Sequence, residues 1–135
     1  VSLHKELEHI ENYISLEKIR YGRRVVVNFD TFVKYDAKIA PLLLLTFIEN
    51  AFKHGVSQEI NQAKIDMTLR TDDRHIYFEI TNTIPKNVPM DNTGSVGIGL
   101  SNVRKQLELL YPDAHQLTIN ATPETYTVQL EIQKL

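Results

Sequence analysis

Four polar side chains at the end of an apolar stretch carry the first chemical signal in the sequence. Residues 42–55 read LLLLTFIENAFKHG, and the polar side chains in the second half are Glu49, Asn50, Lys53 and His54. These residue types bind ions and move protons. In a helix, Asn50 and His54 share one face, and Glu49 and Lys53 form a neighbouring i,i+4 pair. An apolar helix that becomes polar in its last turns indicates the wall of a site.

A helix must position these side chains, and the sequence supplies its start and its end. Pro41 suits a first helical turn because its missing N–H has no helical partner there, and Gly55 suits the end. The first half is almost purely apolar, so it must be buried on nearly every side. The pattern predicts a core helix of about four turns over 42–55. A plainer interpretation stays open, in which the polar residues form a solvated pair and satisfy backbone groups at the helix end.

A cluster of glycines gives the second chemical signal. Residues 83–96 contain two Pro and several Asn without periodicity, which predicts a loop of about fourteen residues, typical of lids and binding loops. Gly94, Gly97 and Gly99 then lead into an amphipathic helix that opens at Leu100. Glycine at a helix N-terminus lets phosphate oxygens approach the free N–H groups there. Glycines also serve plain turns, and this spacing matches neither the GxGxxG order nor a P-loop.

The remaining periodicities predict one more helix and five strands. Residues 3–20 repeat apolar side chains at helical spacing, and Leu16 and Ile19 widen the apolar face, as expected for packing on the domain or on a partner helix. A hairpin connection at 71–74 joins two alternating strands. Strands are predicted at 25–29, 65–69, 76–80, 116–120 and 125–133. The order predicts an α/β (α+β) two-layer sandwich, with about three helices on one face of a mixed sheet.

Composition narrows the classes of function. The 135 residues suit one domain, and 15 Lys and Arg against 17 Asp and Glu give a net charge of −2, so no basic field favours nucleic acid. The absence of Cys excludes disulfides and thiol chemistry. No stretch approaches about 18 apolar residues. Because Val1 opens directly into a helical pattern, we expect a segment of a longer protein, with any membrane or sensor region upstream.

Two separated motifs resemble a known ATP-binding fold. ENAFKHG at 49–55 and GIGLSNVRKQLELLY at 97–111 resemble the N box and the second glycine box of the Bergerat-type fold shared by gyrase, the Hsp90 chaperones, histidine kinases and MutL. More narrowly, the chain resembles the LytS-type sensor histidine kinases over nearly its whole length. The matching residues outside the two boxes are Glu6, Leu7, Ile10, Tyr13, Ile14, Glu17, Arg20, Pro41, Leu42, Leu43 and Leu44.

The resemblance implies a role for each polar residue of the first box. Asn50 would ligate the Mg²⁺ that bridges the phosphates of ATP, a task suited to an amide oxygen. Glu49 would orient the acceptor nucleophile, and Lys53 and His54 would face the phosphates. The second box would supply the phosphate cradle and the helix beneath it, through Gly94, Gly97, Ile98, Gly99, Leu100, Asn102 and Arg104. Phosphoryl transfer needs mainly positioning and charge neutralisation, which such a set provides.

The adenine side departs from the family pattern. Where the family places an Asp that accepts the adenine amino group, this chain has Asn82, which keeps an acceptor oxygen and loses the charge. The first glycine of that box is absent. The late-strand position at which relatives carry a Thr is Tyr126, and Thr127 points to the other face.

The resemblance implies the catalytic ATP-binding domain of a two-component sensor histidine kinase. Residues 23–135 would form the ATP-binding domain, and residues 1–22 a helix that leads out of an upstream dimerisation and acceptor region. The γ-phosphoryl group would pass to a His outside this chain, since none of its own stands in the acceptor pattern: His4, His9, His54, His75 and His115. The full-length protein would be a homodimer that passes the group to a response regulator. The chain would be a cytoplasmic domain of a bacterial inner-membrane protein, attached to the membrane through upstream segments.

Two other functions remain open at this point. A regulatory interaction module of the same fold, with weak or lost nucleotide binding, would explain the changed adenine box. An ATP-hydrolysing or serine-directed relative would share the two boxes, although the pattern over 3–20 fits the sensor kinases better. A positioned adenine acceptor at Asn82 would favour the kinase.

Overall fold

A computed structural model describes residues 1–34, 36–57, 59, 61–86 and 93–134, and for 93–99 the backbone alone. Three α-helices and a five-stranded sheet make up the described fold. The helices are α1 (Leu3–Tyr21), α2 (Leu43–Ala51) and α3 (Thr93–Leu110). The strands are β1 (Val25–Phe32), β2 (Ala63–Thr71), β3 (His75–Thr83), β4 (His115–Ala121) and β5 (Thr125–Gln133). The predicted order of elements is confirmed.

The sheet is mixed, as predicted, and runs in the order β1-β2-β3-β5-β4. β1 and β2 are parallel, with Val25 paired to Ala63, and the other neighbouring pairs are antiparallel. Every second residue of β2 is buried under the helices, while the intervening side chains face solvent. This alternation is what a sheet with one covered face requires. The two-layer sandwich and the β2–β3 hairpin are therefore confirmed.

The first helix begins and ends where the sequence predicts. Ser2 caps it, because its Oγ accepts the N–H of Lys5 at 3.1 Å, and Gly22 ends it with a φ of 56°. Leu16 and Ile19 do not pack on the domain, since they are 66% and 81% exposed, and their packing on a partner helix stays a prediction. At 100° per residue they lie about 120° and 180° around the helix from the buried Ile10.

A buried carboxylate from α1 closes the start of α2. Glu6 is 0% exposed, and its Oε1 and Oε2 accept the N–H groups of Leu42 and Leu44, each at 2.9 Å. Leu42 has a φ of 61° and no side-chain cap of its own, so Glu6 supplies the cap from another helix. Nearby, the hydroxyl of Tyr111 accepts the N–H of Ala40 at 3.0 Å. These contacts join α1, the start of α2 and the end of α3.

The predicted helix over 42–55 needs two corrections. α2 begins at Leu43, because Pro41 and Leu42 form a turn in which Leu42 adopts left-handed backbone angles. The last turn, Phe52–Val56, is π-helical, so the helical path passes through Gly55 instead of stopping there. A Cβ atom added to Gly55 would lie 2.6 Å from Nδ2 of Asn82 on β3. Glycine is required here by the close approach of β3 rather than by a helix end.

The predicted loop over 83–96 is also wrong at both ends. β3 continues through Thr83, and α3 begins at Thr93, with 87–92 outside the described residues. The glycine cluster therefore lies within the first two turns of α3 and not in front of a helix that opens at Leu100. No Pro occurs within Thr93–Leu110, and glycine in a helix costs only about 1 kcal/mol relative to alanine. The N–H groups without helical partners belong to the first turn, 93–96.

No helix in the described ranges is long and apolar enough to span a membrane.

Candidate functional site

The polar end of α2 opens onto a cleft of about 480 Å³ between α1, α2 and α3. This volume lies within the range of about 300–1,000 Å³ that is typical of small-molecule sites. All four polar residues predicted from the first box line it, together with Leu100 of the second. The full lining is Tyr13, Glu17, Arg20, Tyr21, Thr46, Glu49, Asn50, Phe52, Lys53, His54, Ser57, Leu100 and Val103.

The π-helical turn sets the directions of the polar side chains on one wall. Asn50 and His54 are half-buried, whereas Glu49 and Lys53 are exposed. Within the described residues, no ion pair joins Glu49 to Lys53, because the wider π turn removes the i,i+4 alignment of an α-helix. The backbone carbonyl of Lys53 instead accepts the hydroxyl of Ser57. The two charges remain available to a ligand in the cleft.

His54 is neutral at physiological pH. Burial lowers the pKa of its imidazole, and the positive charge of Lys53 lowers it further. One ring nitrogen is therefore a hydrogen-bond donor and the other an acceptor. The imidazole adds hydrogen-bonding capacity beside Lys53 without adding a second fixed charge.

An aromatic cluster forms the α1 side of the cleft. The ring of Tyr13 meets the edge of Phe52 at 5.6 Å and 85°, and Tyr21 stacks on Phe52 at 6.5 Å and 25°. Burial raises the pKa of Tyr13, and the negative charges of Glu17 and Glu49 raise it further. The Tyr13 hydroxyl therefore stays protonated and lies within electrostatic range of Glu49.

The candidate adenine acceptor lies behind the π turn rather than in the lining of the cleft. Asn82 is 6% exposed, and its Nδ2 donates to the carbonyl of Thr83 at 3.1 Å. It pairs across the sheet with Tyr126. Thr127 faces the other side, as predicted, with its Oγ1 2.9 Å from Oγ1 of Thr81. Asn82 approaches the π turn at Gly55, close enough that a Cβ there would lie 2.6 Å from its Nδ2.

Of the residues predicted from the second glycine box, not all line the cleft, and some lie elsewhere on α3. Leu100 is buried and lines the cleft, while Asn102 and Arg104 are exposed on α3 and are not part of the lining. The positive charge of Arg104 acts on Tyr126, whose pKa is raised by burial and partly lowered again by this charge. The other predicted residues of the second box are Gly94, Gly97, Ile98 and Gly99. Their backbone lies in the first two turns of α3, and the structure describes nothing of them beyond the backbone.

The chain is similar to sensor histidine kinases in sequence. No protein-family model matches it. It is 29% identical over 128 residues to the sensor histidine kinase BtsS of Escherichia coli, which covers 94% of this chain and 22% of that protein. It is 26% identical over 133 residues to the sensor protein LytS of Bacillus subtilis, covering 90% of this chain and 22% of that protein. The chain thus spans about a fifth of the length of these curated relatives, and the resemblance to the LytS-type kinases is confirmed.

Solved structures agree on the fold. The catalytic domain of the histidine kinase ThkA matches 99% of this chain over 95% of its own, with a TM-score of 0.67 and 15% identity. The mycobacterial sensor histidine kinase MprB matches with the same coverage and identity and a TM-score of 0.63. The chain has the histidine kinase catalytic fold.

One side of the candidate site is not evident from the sequence. Tyr13, Glu17 and Arg20 match the LytS-type pattern, but nothing in the sequence indicates that they line a cleft. Their spacing of i, i+4 and i+7 places them on one helix face, and Tyr21 extends it. Tyr13 also suits the apolar packing face of an amphipathic helix, so the sequence alone does not separate the two interpretations. The structure turns the C-terminal half of this helix face toward the cleft.

Proposed function

We propose that this chain is the ATP-binding catalytic domain of a two-component sensor histidine kinase. It supplies the γ-phosphoryl group of ATP to a histidine outside the chain, which passes the group to a response regulator. One observation carries the proposal: the cleft of a histidine kinase fold gathers Glu49, Asn50, Lys53 and His54 on one wall.

The residues of the cleft provide what phosphoryl transfer requires. Lys53 offers a cation that no carboxylate in the described residues neutralises, and the neutral His54 offers a hydrogen bond to a phosphate oxygen. The exposed Glu49 stands where an incoming imidazole can be oriented by its carboxylate. The free N–H groups in the first turn of α3 add donors for phosphate oxygens. Positioning and charge neutralisation account for most of the catalysis in this class of reaction.

Mg²⁺ suits the donors of this cleft. The described residues contain no cluster of three His, Asp or Glu side chains that would hold a metal by themselves. Mg²⁺ usually keeps several waters and binds one or two protein oxygens plus the phosphates, so the amide oxygen of Asn50 is a sufficient protein ligand. Bound there with ATP, the ion neutralises phosphate charge.

Asn82 is the residue that decides between this function and the alternative. As the proposed adenine acceptor it is buried and held in place by its bond to the Thr83 carbonyl. It also lies behind Gly55, outside the lining of the cleft, which is the observation that favours a regulatory module with weak nucleotide binding.

The proposal extends to the longer protein. Residues 1–22 would connect the domain to a dimerisation and acceptor region, and the full-length kinase would be a membrane-attached homodimer with this domain in the cytoplasm. The match to a structure of ThkA in complex with the response regulator TrrA, with a TM-score of 0.64 and 13% identity, supports a response regulator as the partner.

The test is calorimetric titration of the folded domain with ATP in the presence and absence of Mg²⁺. Saturable binding that requires Mg²⁺ and weakens about tenfold or more in Asn50→Ala is expected, since a lost ligand of this kind is worth at least about 1.4 kcal/mol. Asn12→Ala, which changes an exposed amide on α1, is the matched control and should bind like the unaltered domain. Absence of binding by a folded domain at millimolar ATP would refute the kinase and support the regulatory module.

A further inference from the structure

One wall of the cleft has no role in the function proposed above. Its residues come from the C-terminal half of α1, and they include two charged side chains, Glu17 and Arg20. α1 therefore does more than cover the sheet, because it brings charge to the same space as the polar end of α2.

The guanidinium of Arg20 lies near an aromatic ring and has no carboxylate partner among the described residues. Its central carbon lies 5.2 Å from the centroid of the Tyr21 ring, and that ring stacks on the buried Phe52. No carboxylate of the described residues lies within 4.0 Å of it. Stacking fixes the plane of a guanidinium while its N–H groups stay free for bidentate contact with an oxyanion.

The neighbouring Arg24, unlike Arg20, uses its guanidinium in a hydrogen bond within the fold. Its guanidinium lies 5.6 Å from the same Tyr21 ring, and its Nη2 donates to the carbonyl of Glu59 at 2.7 Å. Arg24 therefore serves the fold and does not line the cleft. The two arginines share one aromatic ring, and only Arg20 presents its charge to the cleft.

Arg20 lines the cleft, whereas the proposed adenine acceptor is outside the lining. Arg20 shares this lining with Tyr13 and Glu49. Asn82, by contrast, lies behind Gly55. A nucleotide whose base approaches Asn82 would extend its phosphates into the cleft, where Asn50, Lys53 and Arg20 lie.

Arg20 decides whether the cleft lining is neutral or carries a net negative charge. Its fixed charges are two cations, Arg20 and Lys53, and two carboxylates, Glu17 and Glu49, because His54 is neutral. Without Arg20 the lining would carry a net negative charge and would repel a polyphosphate. A planar guanidinium is also the side chain that suits a bidentate contact with phosphate oxygens.

We propose that Arg20 binds the terminal phosphate of ATP, so that α1 forms part of the nucleotide site. This inference rests on the proposed function. It assigns Arg20 a specificity role, namely the preference of the cleft for a triphosphate over a diphosphate.

The experiment compares a non-hydrolysable ATP analogue with ADP, both with Mg²⁺, by calorimetric titration. Arg20→Ala is expected to weaken binding of the ATP analogue about tenfold or more and binding of ADP less than about threefold. Arg20→Lys, which keeps the charge and loses the planar fork, should recover part of the loss. The matched control is Arg23→Ala, which removes an exposed cation outside the cleft lining and should leave both affinities within about twofold.

Each outcome has a distinct meaning. Selective loss of ATP affinity by Arg20→Ala, with an unchanged thermal unfolding midpoint, supports the inference. Equal loss for ATP and ADP, or no loss, overturns it while the proposed function stands, because the unaltered domain still binds nucleotide. If the unaltered domain binds neither nucleotide, the proposed function fails and this inference fails with it.

Discussion

Replacing Glu6 should destabilise the domain strongly, because its buried carboxylate accepts two backbone N–H groups at the start of α2. A hydrogen bond to a charged group contributes about 1.5–3 kcal/mol, so Glu6→Ala should lower the free energy of unfolding by about 3–6 kcal/mol. That is a large fraction of the roughly 5–15 kcal/mol that holds a typical domain together. Glu6→Gln keeps one acceptor oxygen and should lose about half as much.

Urea unfolding followed by circular dichroism measures this effect. With a slope of about 2 kcal/mol per molar urea, the midpoint for Glu6→Ala should fall by about 1.5–3 M. Glu11→Ala, which removes an exposed carboxylate from the same helix, should change the free energy of unfolding by no more than about 0.5 kcal/mol. Equal midpoints for the two alanine variants would refute the assignment of Glu6 as the cap of α2.

Two further predictions concern the walls of the cleft. Gly55→Ala should cost about 1–3 kcal/mol of unfolding free energy and weaken nucleotide binding, because the added Cβ lies 2.6 Å from Nδ2 of Asn82 and 3.1 Å from its Cβ. His54 should titrate below pH 6.5 when its ring protons are followed by NMR, because burial and Lys53 lower its pKa. Since the unfolded state then binds the proton more readily, the stability that His54 contributes is full above about pH 6.5 and is lost as the pH falls from there through the lowered pKa of the folded state.

Each of these predictions has an internal control. For Gly55→Ala, the loss in unfolding free energy should shrink in an Asn82→Ala background, and equal losses in both backgrounds would show that the two residues do not clash. For His54, the difference in stability between pH 7.5 and pH 5.5 should be smaller in His54→Gln than in the unaltered domain. If the difference in stability is the same in His54→Gln, the pH dependence of stability comes from another group.

Local patterns were sufficient for most of the fold. The alternation along β2 and β3, with the polar turn between them, depends on neighbouring residues only, and the structure confirms it. The same is true of α1, whose cap at Ser2 and end at Gly22 are encoded within a residue or two of each boundary. The polar end of α2 was recognisable as a site wall because polar residues follow an apolar run within one helix.

Features that depend on distant contacts were not visible in the sequence. Glu6 reads as an ordinary polar residue of an amphipathic helix until folding places Leu42, 36 positions later, against its carboxylate. Gly55 reads as a helix end, whereas its actual cause is the approach of Asn82 from β3. Arg20 matches the LytS-type pattern, but the sequence does not show what its side chain does. The cleft that it lines is formed by elements from three parts of the chain.

The parallel pairing of β1 with β2 bears on how the protein acquires its binding site. β2 and β3, and likewise β4 and β5, meet through short turns, but the contact between Asn28 of β1 and Asp66 of β2 spans 38 positions. Closing that longer segment costs more chain entropy, so β1 should join the sheet after the hairpins have formed. The segment being closed contains α2 and the whole polar wall of the cleft. A chain that has only its two hairpins would therefore lack the polar wall of the cleft, which forms only when the long-range pairings of the sheet are made.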